Sequence, residues 1–342
     1  MFSGISNYLG LDMGSSQVRI YQKDKIILSE SSVAAVDSIS GTVLGFGTDA
    51  LIRFHSAPGN YYLKFPVRNG VISDYDMTKA MLRFFVSKAL HRSVSRPVVM
   101  AAIPSEISSV TRHALVDALV HAGAQSVYLI PSPAAAAIGA GMNLEIPSVS
   151  VSLVLGRDVS DAGIYSCGGI VSQIGASFGG HSIDLGICQH IQNKYNMFIG
   201  LDQAEKLKCE VLSLVRKTEN HVFTVRGRRL TDGVEVVVEI SVTEMASVMQ
   251  HLMKPVVHLI KQLLHGATPE MADDLLKQGL LLSGGSARID GISEWLSYEL
   301  GIPVKVPPEP ESIIAKGCYD ACLLEHEHSM LIENGEKYYG GT

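Results

Sequence analysis

The sequence predicts an α/β protein made of two lobes with a similar layout. At 342 residues the chain is longer than one hydrophobic core usually supports, which favours two domains. Short apolar strands alternate with amphipathic helices along most of the chain, a pattern typical of α/β folds. A strand-turn-strand-strand pattern near Asp12 also recurs 142 residues later, near Val154. We therefore expect each half to supply one hairpin turn to a cleft between the lobes.

The first half alternates predicted strands with predicted helices. The strands are residues 8–12, 18–22, 25–30, 97–104 and 126–131, and the helices are residues 78–90, 106–122 and 134–142. The helices have apolar residues at helical spacing, and the last one consists of small residues that suit close packing. We expect this lobe to span residues 1–145, with a small insertion at about 33–76.

The second half repeats this order. Its predicted strands are residues 148–156, 162–168, 170–177, 279–285 and 302–306, and its predicted helices are residues 183–195, 202–215, 243–264, 291–300 and 312–324. Two polar strands, residues 221–230 and 234–240, indicate a small insertion domain. We expect the second lobe to span residues 146–342, with its insertion at about 182–244 and a tail that is loose at its end.

Composition argues against several classes of function. The formal charge of −6, with 28 basic and 34 acidic residues and no basic block, argues against nucleic-acid binding. No apolar run reaches the roughly 18 residues that span a bilayer, and the first residues do not read as a secretory signal. A cytoplasmic location is therefore expected. The five cysteines, which form no C-x-x-C pair and lie in apolar stretches, are interpreted as reduced core thiols.

Several motifs in a fixed order carry a resemblance to a known family. LGLDMGSS (9–16) is similar to a first phosphate loop of the form D-x-G-T, and APGNYYLKFPVRNGVISDYDM (57–77) resembles a segment specific to the MreB branch. Four further segments resemble a hinge helix, a helix near the ribose, an adenosine loop and a second connecting helix; they are SPAAAAIGAG (132–141), AEKLKCE (204–210), LLSGGSARIDGI (281–292) and IIAKGCYDA (313–321). The chain thus resembles the MreB branch of the actin, DnaK-type chaperone and sugar-kinase superfamily over nearly its whole length.

This resemblance implies an actin-like (ribonuclease H-like) duplicated fold, with two lobes, each carrying a smaller inserted subdomain, around a nucleotide cleft. It also implies ATP or ADP with Mg²⁺ as ligands. Asp12 would hold waters on the magnesium ion, Gly14 would let the backbone approach a phosphate, and Ser15 and Ser16 would donate hydrogen bonds to it. A simple Asp-Gly hairpin turn is the alternative interpretation.

The resemblance assigns further residues to the nucleotide. They are Gln17, Gly156, Arg157, Asp158, Glu205, Lys208, Gly284, Gly285, Ser286 and Ala287. Residues 284–287 would let adenosine lie flat against the backbone, or they form a plain strand-to-helix turn. Glu205 and Lys208 would contact the ribose and purine, or they form an exposed salt bridge three residues apart on a helix.

Two departures from the family pattern predict weak or absent ATP hydrolysis. Val154 stands where the second phosphate loop has an aspartate, and only Gly156 remains of that loop's glycines. An alkyl group can neither accept a hydrogen bond nor bind a metal ion. Ser132 stands where the family has the glutamate that polarises the attacking water, and a serine hydroxyl is a very weak base at neutral pH. Arg157 could bind a phosphate or pair with Asp158.

The resemblance implies an MreB-like cytoskeletal protein that forms filaments and takes part in cell shape determination. Its partners would be further copies of itself and inner-membrane morphogenesis or wall-synthesis proteins. Contact with the inner face of the cell membrane would involve Phe2, Ile5 and the basic loop at residues 91–97. The alternative is an actin-like adaptor, poor in nucleotide, that binds partner proteins without polymerising. A sugar or acetate kinase ranks last, because the second phosphate loop is not intact.

Overall fold

A computed structural model describes residues 7–57, 59–90, 96–215, 222–324 and 329–335. The chain divides into two compact units. Unit 1 comprises Met1–Val154, Asp161–Gly175 and Ser312–Thr342, and unit 2 comprises Leu155–Ser160 and Ala176–Glu311. The lobe and insertion boundaries inferred from the sequence remain predictions.

The described chain contains nineteen strands, several of only two residues. In chain order they are β1 (Tyr8–Met13), β2 (Gln17–Gln22), β3 (Lys25–Ser31), β4 (Ala34–Asp37), β5 (Val43–Phe46), β6 (Tyr61–Lys64), β7 (Val67–Arg68), β8 (Val71–Ile72), β9 (Val98–Ile103), β10 (Ser126–Pro131), β11 (Ser150–Leu155), β12 (Ser160–Ser166), β13 (Gly169–Ala176), β14 (Met197–Phe198), β15 (Val222–Arg229), β16 (Glu235–Ser241), β17 (Leu280–Ser283), β18 (Val304–Lys305) and β19 (Glu333–Asn334).

Eleven α-helices lie in the same described residues. They are α1 (Gly47–Ser56), α2 (Tyr75–Leu90), α3 (Ser109–His121), α4 (Ser132–Gly139), α5 (Gly180–Tyr195), α6 (Leu201–Glu210), α7 (Val242–Leu252), α8 (Lys254–Leu263), α9 (Pro269–Gln278), α10 (Ile292–Leu300) and α11 (Ile313–Leu323). A 3₁₀ turn covers Gly285–Arg288. None of the described helices is long and apolar enough to cross a membrane.

The main sheet of unit 1 has six strands in the order β19-β10-β9-β1-β2-β3. Strands β1, β9 and β10 are mutually parallel, and β2 and β3 continue antiparallel from β1 as predicted for the opening meander. The core joins this sheet to apolar side chains of α2 and α3, including Leu82, Phe85 and Leu119. The N-cap of α3 is Ser108, whose hydroxyl oxygen accepts a hydrogen bond from the Thr111 amide. The sequence placed this helix start earlier, at residue 106.

A small three-stranded sheet, β5-β4-β6, packs on α1 in unit 1. Its core is formed by Val33, Ala35 and Ala50, with Leu63 and Phe65 packed against them. This sheet lies within the region where the sequence predicts an insertion. The individual elements were not predicted, because four-residue strands give too short a pattern to distinguish from loop.

Unit 2 contains helices α5–α10, the three-stranded sheet β14-β15-β16 and the parallel pair β17–β18. The single helix predicted at residues 243–264 is wrong, since α7 ends at Leu252 and α8 starts at Lys254, immediately before Pro255. Proline lacks an amide donor and fits the first turn of a helix, so it starts a new helix here. The helix predicted at residues 202–215 ends earlier, at Glu210.

The cysteine interpretation is half right. Cys318 and Cys322 are buried on α11, whereas Cys167 and Cys209 are exposed and Cys188 is half-buried. All five are free thiols. The apolar stretches around the exposed pair therefore did not indicate core positions for those two side chains.

Helices α4 and α11 cross at very short range in unit 1. A Cβ atom on Gly317 would stand 1.7 Å from the Ala135 carbonyl oxygen, and one on Gly139 would stand 2.2 Å from the Ile313 carbonyl oxygen. A Cβ on Gly10 of β1 would likewise meet the Ala315 carbonyl oxygen at 2.1 Å. Glycine is required at these positions because backbone packs directly on backbone.

Candidate functional site

The first candidate loop is the tight turn between β1 and β2 in unit 1. The strands pair with Asp12 opposite Arg19 and Met13 opposite Val18, and the Gly14 amide donates to the Gln17 carbonyl at 3.0 Å. The turn therefore lies where the sequence predicts it. Asp12 lies one residue before the end of β1.

Asp12 is a buried carboxylate whose charge is only partly compensated. Its side chain is 13% exposed, and Arg19 Nη1 lies 3.9 Å from Asp12 Oδ2. Burial raises the pKa of Asp12 to about 6, and the positive charge of Arg19 opposes that shift. Arg19 Nη2 meanwhile donates to Gln17 Oε1 at 2.6 Å. An acid that is mostly ionised at neutral pH beside one distant cation fits a hydrated Mg²⁺ ion.

The serines of this turn differ in what they offer a ligand. Ser15 is buried, and its hydroxyl oxygen accepts from the Gly70 amide at 2.9 Å. The Gly14 carbonyl accepts from the Ser32 hydroxyl at 2.5 Å. Ser16 is exposed. Ser15 thus holds the turn to neighbouring segments, and Ser16 presents the accessible hydroxyl.

The second candidate loop is the turn between β11 and β12, at Leu155–Ser160 in unit 2. The Gly156 amide donates to the Val159 carbonyl at 2.9 Å and closes the turn. The Gly156 carbonyl accepts from the Gly180 amide at 3.0 Å and from the Ser286 hydroxyl at 3.1 Å. This turn is therefore tied to the start of α5 and to the 3₁₀ turn after β17.

Val154, one of the two departures from the family pattern, stands beside this loop, and Arg157 and Asp158 lie in it. Arg157 Nε lies 3.9 Å from Asp158 Oδ1, which is the pairing considered from the sequence. The Arg157 carbonyl accepts from the His181 amide at 2.8 Å. Val154 is 7% exposed and contributes only alkyl groups. The side chain at position 154 thus offers no polar group to the water shell of a metal ion.

The third candidate segment, residues 284–287, connects β17 to α10. Gly284 has a φ of 89°, and a Cβ there would meet the Leu155 carbonyl oxygen at 2.5 Å, so this glycine is required by backbone packing. Gly285 is exposed, and no atom lies within 4 Å of the position that a Cβ would take there. Ser286 and Ala287 are buried. Gly285 is therefore the member of this segment on whose backbone a flat ring could rest.

Glu205 and Lys208 occupy different environments on α6. Glu205 is exposed, whereas Lys208 is 5% exposed. Lys208 Nζ lies 2.8 Å from Asp184 Oδ1 and donates to the Gly180 carbonyl at 3.0 Å. The interpretation as an exposed salt bridge between Glu205 and Lys208 is wrong, because Lys208 is buried and pairs with Asp184.

Ser132 begins α4 at the end of β10. Its hydroxyl donates to the Ile103 carbonyl at 3.0 Å. The hydroxyl oxygen keeps its lone pairs, but a serine hydroxyl is too weak a base at neutral pH to take a proton from water. The inference that this position cannot activate water remains a prediction from the sequence.

Asp161, a buried acid on β12, contacts the turn that follows β9. Asp161 is 3% exposed and its Oδ2 accepts from the Ser105 amide at 2.9 Å. Gln173 Nε2 donates to the Ser105 carbonyl at 3.1 Å, so two side chains of the β12–β13 hairpin hold the turn after β9. Burial raises the pKa of Asp161 to about 7, hydrogen bonds from Ser105 lower it, and the charge of Glu106 raises it further.

Three of these residues were not predicted from the sequence. Arg19 could have been found by counting across the β1–β2 turn from Asp12. Asp184 is a single acid within an apolar stretch and Asp161 directly precedes one, positions that indicate a buried and partnered carboxylate. Their partners, Ser105 and Lys208, are too far along the chain to be inferred from spacing.

Comparison with known proteins shows which family and which solved structures this chain is similar to. The family described as MreB/Mbl protein matches residues 6–330. The cell shape-determining protein Mbl of Bacillus subtilis (strain 168) is 32% identical over 311 residues, which cover 90% of this chain and 93% of that protein.

Two solved structures share the fold. The crystal structure of MreB5 of Spiroplasma citri bound to AMPPNP matches with a TM-score of 0.86 at 24% identity, covering 95% of this chain and 98% of that one. The MamK double helical filament matches with a TM-score of 0.77 at 19% identity, covering 93% and 98%. These matches show an actin-like fold, which confirms the predicted fold class. The chain belongs to the MreB/Mbl protein family, as the match over residues 6–330 shows.

Proposed function

We propose that this chain is an MreB-like cytoskeletal protein that forms filaments, takes part in cell shape determination and binds ATP or ADP. The observation that carries the proposal is the family match over residues 6–330. The Bacillus relative is named for cell shape determination, MreB5 was crystallised with AMPPNP, and MamK forms a double helical filament.

In unit 2, the proposed nucleotide contacts are made by backbone groups and by charged side chains. The exposed Gly285 backbone would support the adenine ring, and Glu205, exposed on α6, would accept from a ribose hydroxyl. The turn at Gly156–Asp158 would face the phosphates with Arg157, whose side chain is partly exposed.

In unit 1, Asp12 is the proposed magnesium residue. Its buried, partly compensated carboxylate would accept hydrogen bonds from waters in the ion's shell. When bound, the ion would neutralise charge on the phosphates. Ser16 supplies the exposed hydroxyl of the adjoining turn.

Hydrolysis is proposed to be slow or absent. Loss of a general base typically costs about 10²- to 10⁴-fold in rate, and Ser132 cannot replace the glutamate. Val154 also puts an alkyl group, which cannot bind the metal shell, where the family has an aspartate. The chain would therefore remain in one nucleotide state for long periods.

Sedimentation with and without ATP and Mg²⁺, joined to titration with a fluorescent ATP analogue, tests this function. We expect saturable binding of the analogue, pelleting of the protein, and phosphate release close to background. Gly285→Val should abolish analogue binding without unfolding the protein, because the space above Gly285 is open. Gly266→Val is the matched control, since Gly266 is equally exposed and unobstructed, also lies in a 3₁₀ turn, and is outside the candidate site.

A protein that stays in the supernatant and binds no analogue would contradict the proposal. It would instead support an actin-like adaptor that binds partner proteins without polymerising. One observation favours this second candidate: the polar groups of the Gly156 turn already bond to unit 2 itself, through Gly180, Ser286 and His181.

Membrane contact and cytoplasmic location belong to the same proposal, with inner-membrane morphogenesis or wall-synthesis proteins as partners. Phe2, Ile5 and most of the loop at residues 91–97 lie outside the described residues. Vesicles with anionic lipids, added to the sedimentation assay, should carry more protein into the floating fraction than neutral vesicles do. Equal recovery with both would remove the membrane from the proposal.

Restoring the two family carboxylates is expected to raise ATP hydrolysis. Val154→Asp returns an acceptor for the metal shell, and Ser132→Glu returns a base, so the double variant should hydrolyse at least about ten-fold faster than the parent chain. Phosphate release under saturating ATP and Mg²⁺ measures the change, with each single variant as the control. No gain would mean that the turn carrying Arg157 and Asp158 no longer binds phosphate.

A further inference from the structure

Two polar side chains of the β12–β13 hairpin converge on Ser105, in the turn that follows β9. The Ser105 amide donates to Asp161 Oδ2 at 2.9 Å, and the Ser105 carbonyl accepts from Gln173 Nε2 at 3.1 Å. Asp161 Oδ1 and Gln173 Oε1 are also buried, and neither has a hydrogen-bond partner among the described residues. An unpaired buried polar atom costs free energy, so this cluster favours a further polar group, such as a water molecule.

The same stretch of backbone contacts Ser132, which stands where the family has its glutamate. The Ser132 hydroxyl donates to the Ile103 carbonyl at 3.0 Å, and Ile103 lies two residues before Ser105. Two residues of extended chain span at most about 7 Å. Ile103 is also opposite Pro131 in the parallel pair of β9 and β10, and Ser132 directly follows Pro131. Asp161 therefore places a carboxylate close to the position where Ser132 offers none.

Asp161 has the properties of a general base. Its side chain is buried, and burial raises its pKa to about 7, which leaves a large ionised fraction at neutral pH. A general base is most effective when its pKa lies near the working pH. The ionisable groups that act on it, Glu106 and Tyr165, bring no positive charge that would hold the carboxylate permanently ionised. Asp161 can therefore both take up and release a proton near neutral pH.

We propose that Asp161 is the catalytic base for slow ATP hydrolysis by this chain, in place of the glutamate that is absent at Ser132. The Ser105 amide holds Oδ2, and Oδ1 accepts a hydrogen bond from the attacking water. Asp161 takes one proton from that water, the water oxygen bonds to the γ-phosphorus, and the bond between this phosphorus and the ADP oxygen breaks. ADP leaves with the electron pair. The inference rests on the proposed function, because it names the residue responsible for hydrolysis at the same nucleotide site.

Asparagine at position 161 tests the base. Asp161→Asn keeps an acceptor for the Ser105 amide but cannot take a proton from water. The variant is made in the Val154→Asp chain, because the restored acceptor for the metal shell should raise the rate to be measured. Phosphate release under saturating ATP and Mg²⁺ should fall at least about ten-fold when Asp161→Asn is added. The affinity for a fluorescent ATP analogue should stay unchanged.

Ser132→Glu distinguishes a base from a residue that only supports the fold. In a chain with Val154→Asp and Ser132→Glu, the glutamate is a second base, so adding Asp161→Asn should lower the rate less than about two-fold. If Asp161 only held Ser105 in place, its replacement would lower the rate by the same factor in both chains.

Glu106→Gln is the matched control for charge. Glu106 is exposed, and its Oε1 accepts from the Gly175 amide at 3.3 Å, a contact that glutamine retains. Hydrolysis by the Val154→Asp chain should rise as the pH increases through about 7, because only ionised Asp161 can take the proton. The negative charge of Glu106 raises the pKa of Asp161, so Glu106→Gln should move this rise to lower pH and leave the maximal rate unchanged.

Two results would overturn the inference and leave the proposed function standing. The first is a Val154→Asp chain that binds the analogue but releases no phosphate above background. The second is an equal loss of rate from Asp161→Asn with and without Ser132→Glu. A parent chain that neither binds the analogue nor pellets would contradict the proposed function itself, and the inference would fail with it.

Discussion

Replacing Gly317 with alanine is expected to destabilise unit 1 by about 3 kcal/mol or more. The new Cβ would stand 1.7 Å from the Ala135 carbonyl oxygen and 2.8 Å from the Gly139 amide nitrogen. Both contacts are backbone, so α4 and α11 would have to separate and lose buried packing to accept the methyl group. The shift in the urea unfolding midpoint measures the effect.

Gly266→Ala is the matched control for that variant. Gly266 is exposed and nothing lies within 4 Å of its Cβ position, so alanine should change the free energy of unfolding by no more than about 0.5 kcal/mol. Equal midpoints for the two variants would show that the crossing of α4 and α11 is looser than the distances indicate.

Replacing Asp161 with asparagine is expected to remove a large pH dependence of stability. Burial raises the pKa of Asp161 from 3.8 to about 7, so the folded protein binds a proton that the unfolded chain releases. The stabilising contribution is complete below pH 4 and is lost as the pH rises through about 7. A pKa shift of this size corresponds to a change in the free energy of unfolding on the order of 4 kcal/mol across that pH range. Asparagine keeps an acceptor for the Ser105 amide and carries no charge at any pH.

Urea unfolding between pH 5 and pH 8 tests this expectation. The amides of Ser105 and Ala162 donate to Asp161, and the ionisable groups that act on it, Glu106 and Tyr165, bring no compensating positive charge. Asp202→Asn, an exposed change on α6, serves as the control and should keep the slope of the parent chain. The idea fails if Asp161→Asn and Asp202→Asn unfold with the same dependence on pH.

The long, regular parts of the fold could be predicted from the sequence. The meander β1–β3 and helices such as α2 and α10 repeat one pattern over enough residues to fix their type. Short strands such as those of the β5-β4-β6 sheet were not found, because their stability comes from packing on α1 and not from local pattern. Helix α9 was also missed, although Thr268 and Pro269 provide a capping residue and a first-turn proline.

The candidate site could be predicted as a set of positions but not as a set of contacts. Motif order placed Asp12, Gly156 and Lys208 among the important residues. It could not show that Lys208 is buried against Asp184, or that Asp161 holds Ser105 across 56 positions of chain. Such partners are decided by tertiary packing, which a spacing argument along the chain does not contain.

The glycine contacts of unit 1 limit how α4 and α11 can move past each other. With no side chain between Gly139 and Gly317, the two backbones share a pivot. Translating either helix along its axis would bring a neighbouring side chain into that gap, whereas tilting about the crossing point keeps it clear. We therefore expect relative motion of α4 and α11 to be a tilt about their crossing point and not a slide along either helix axis.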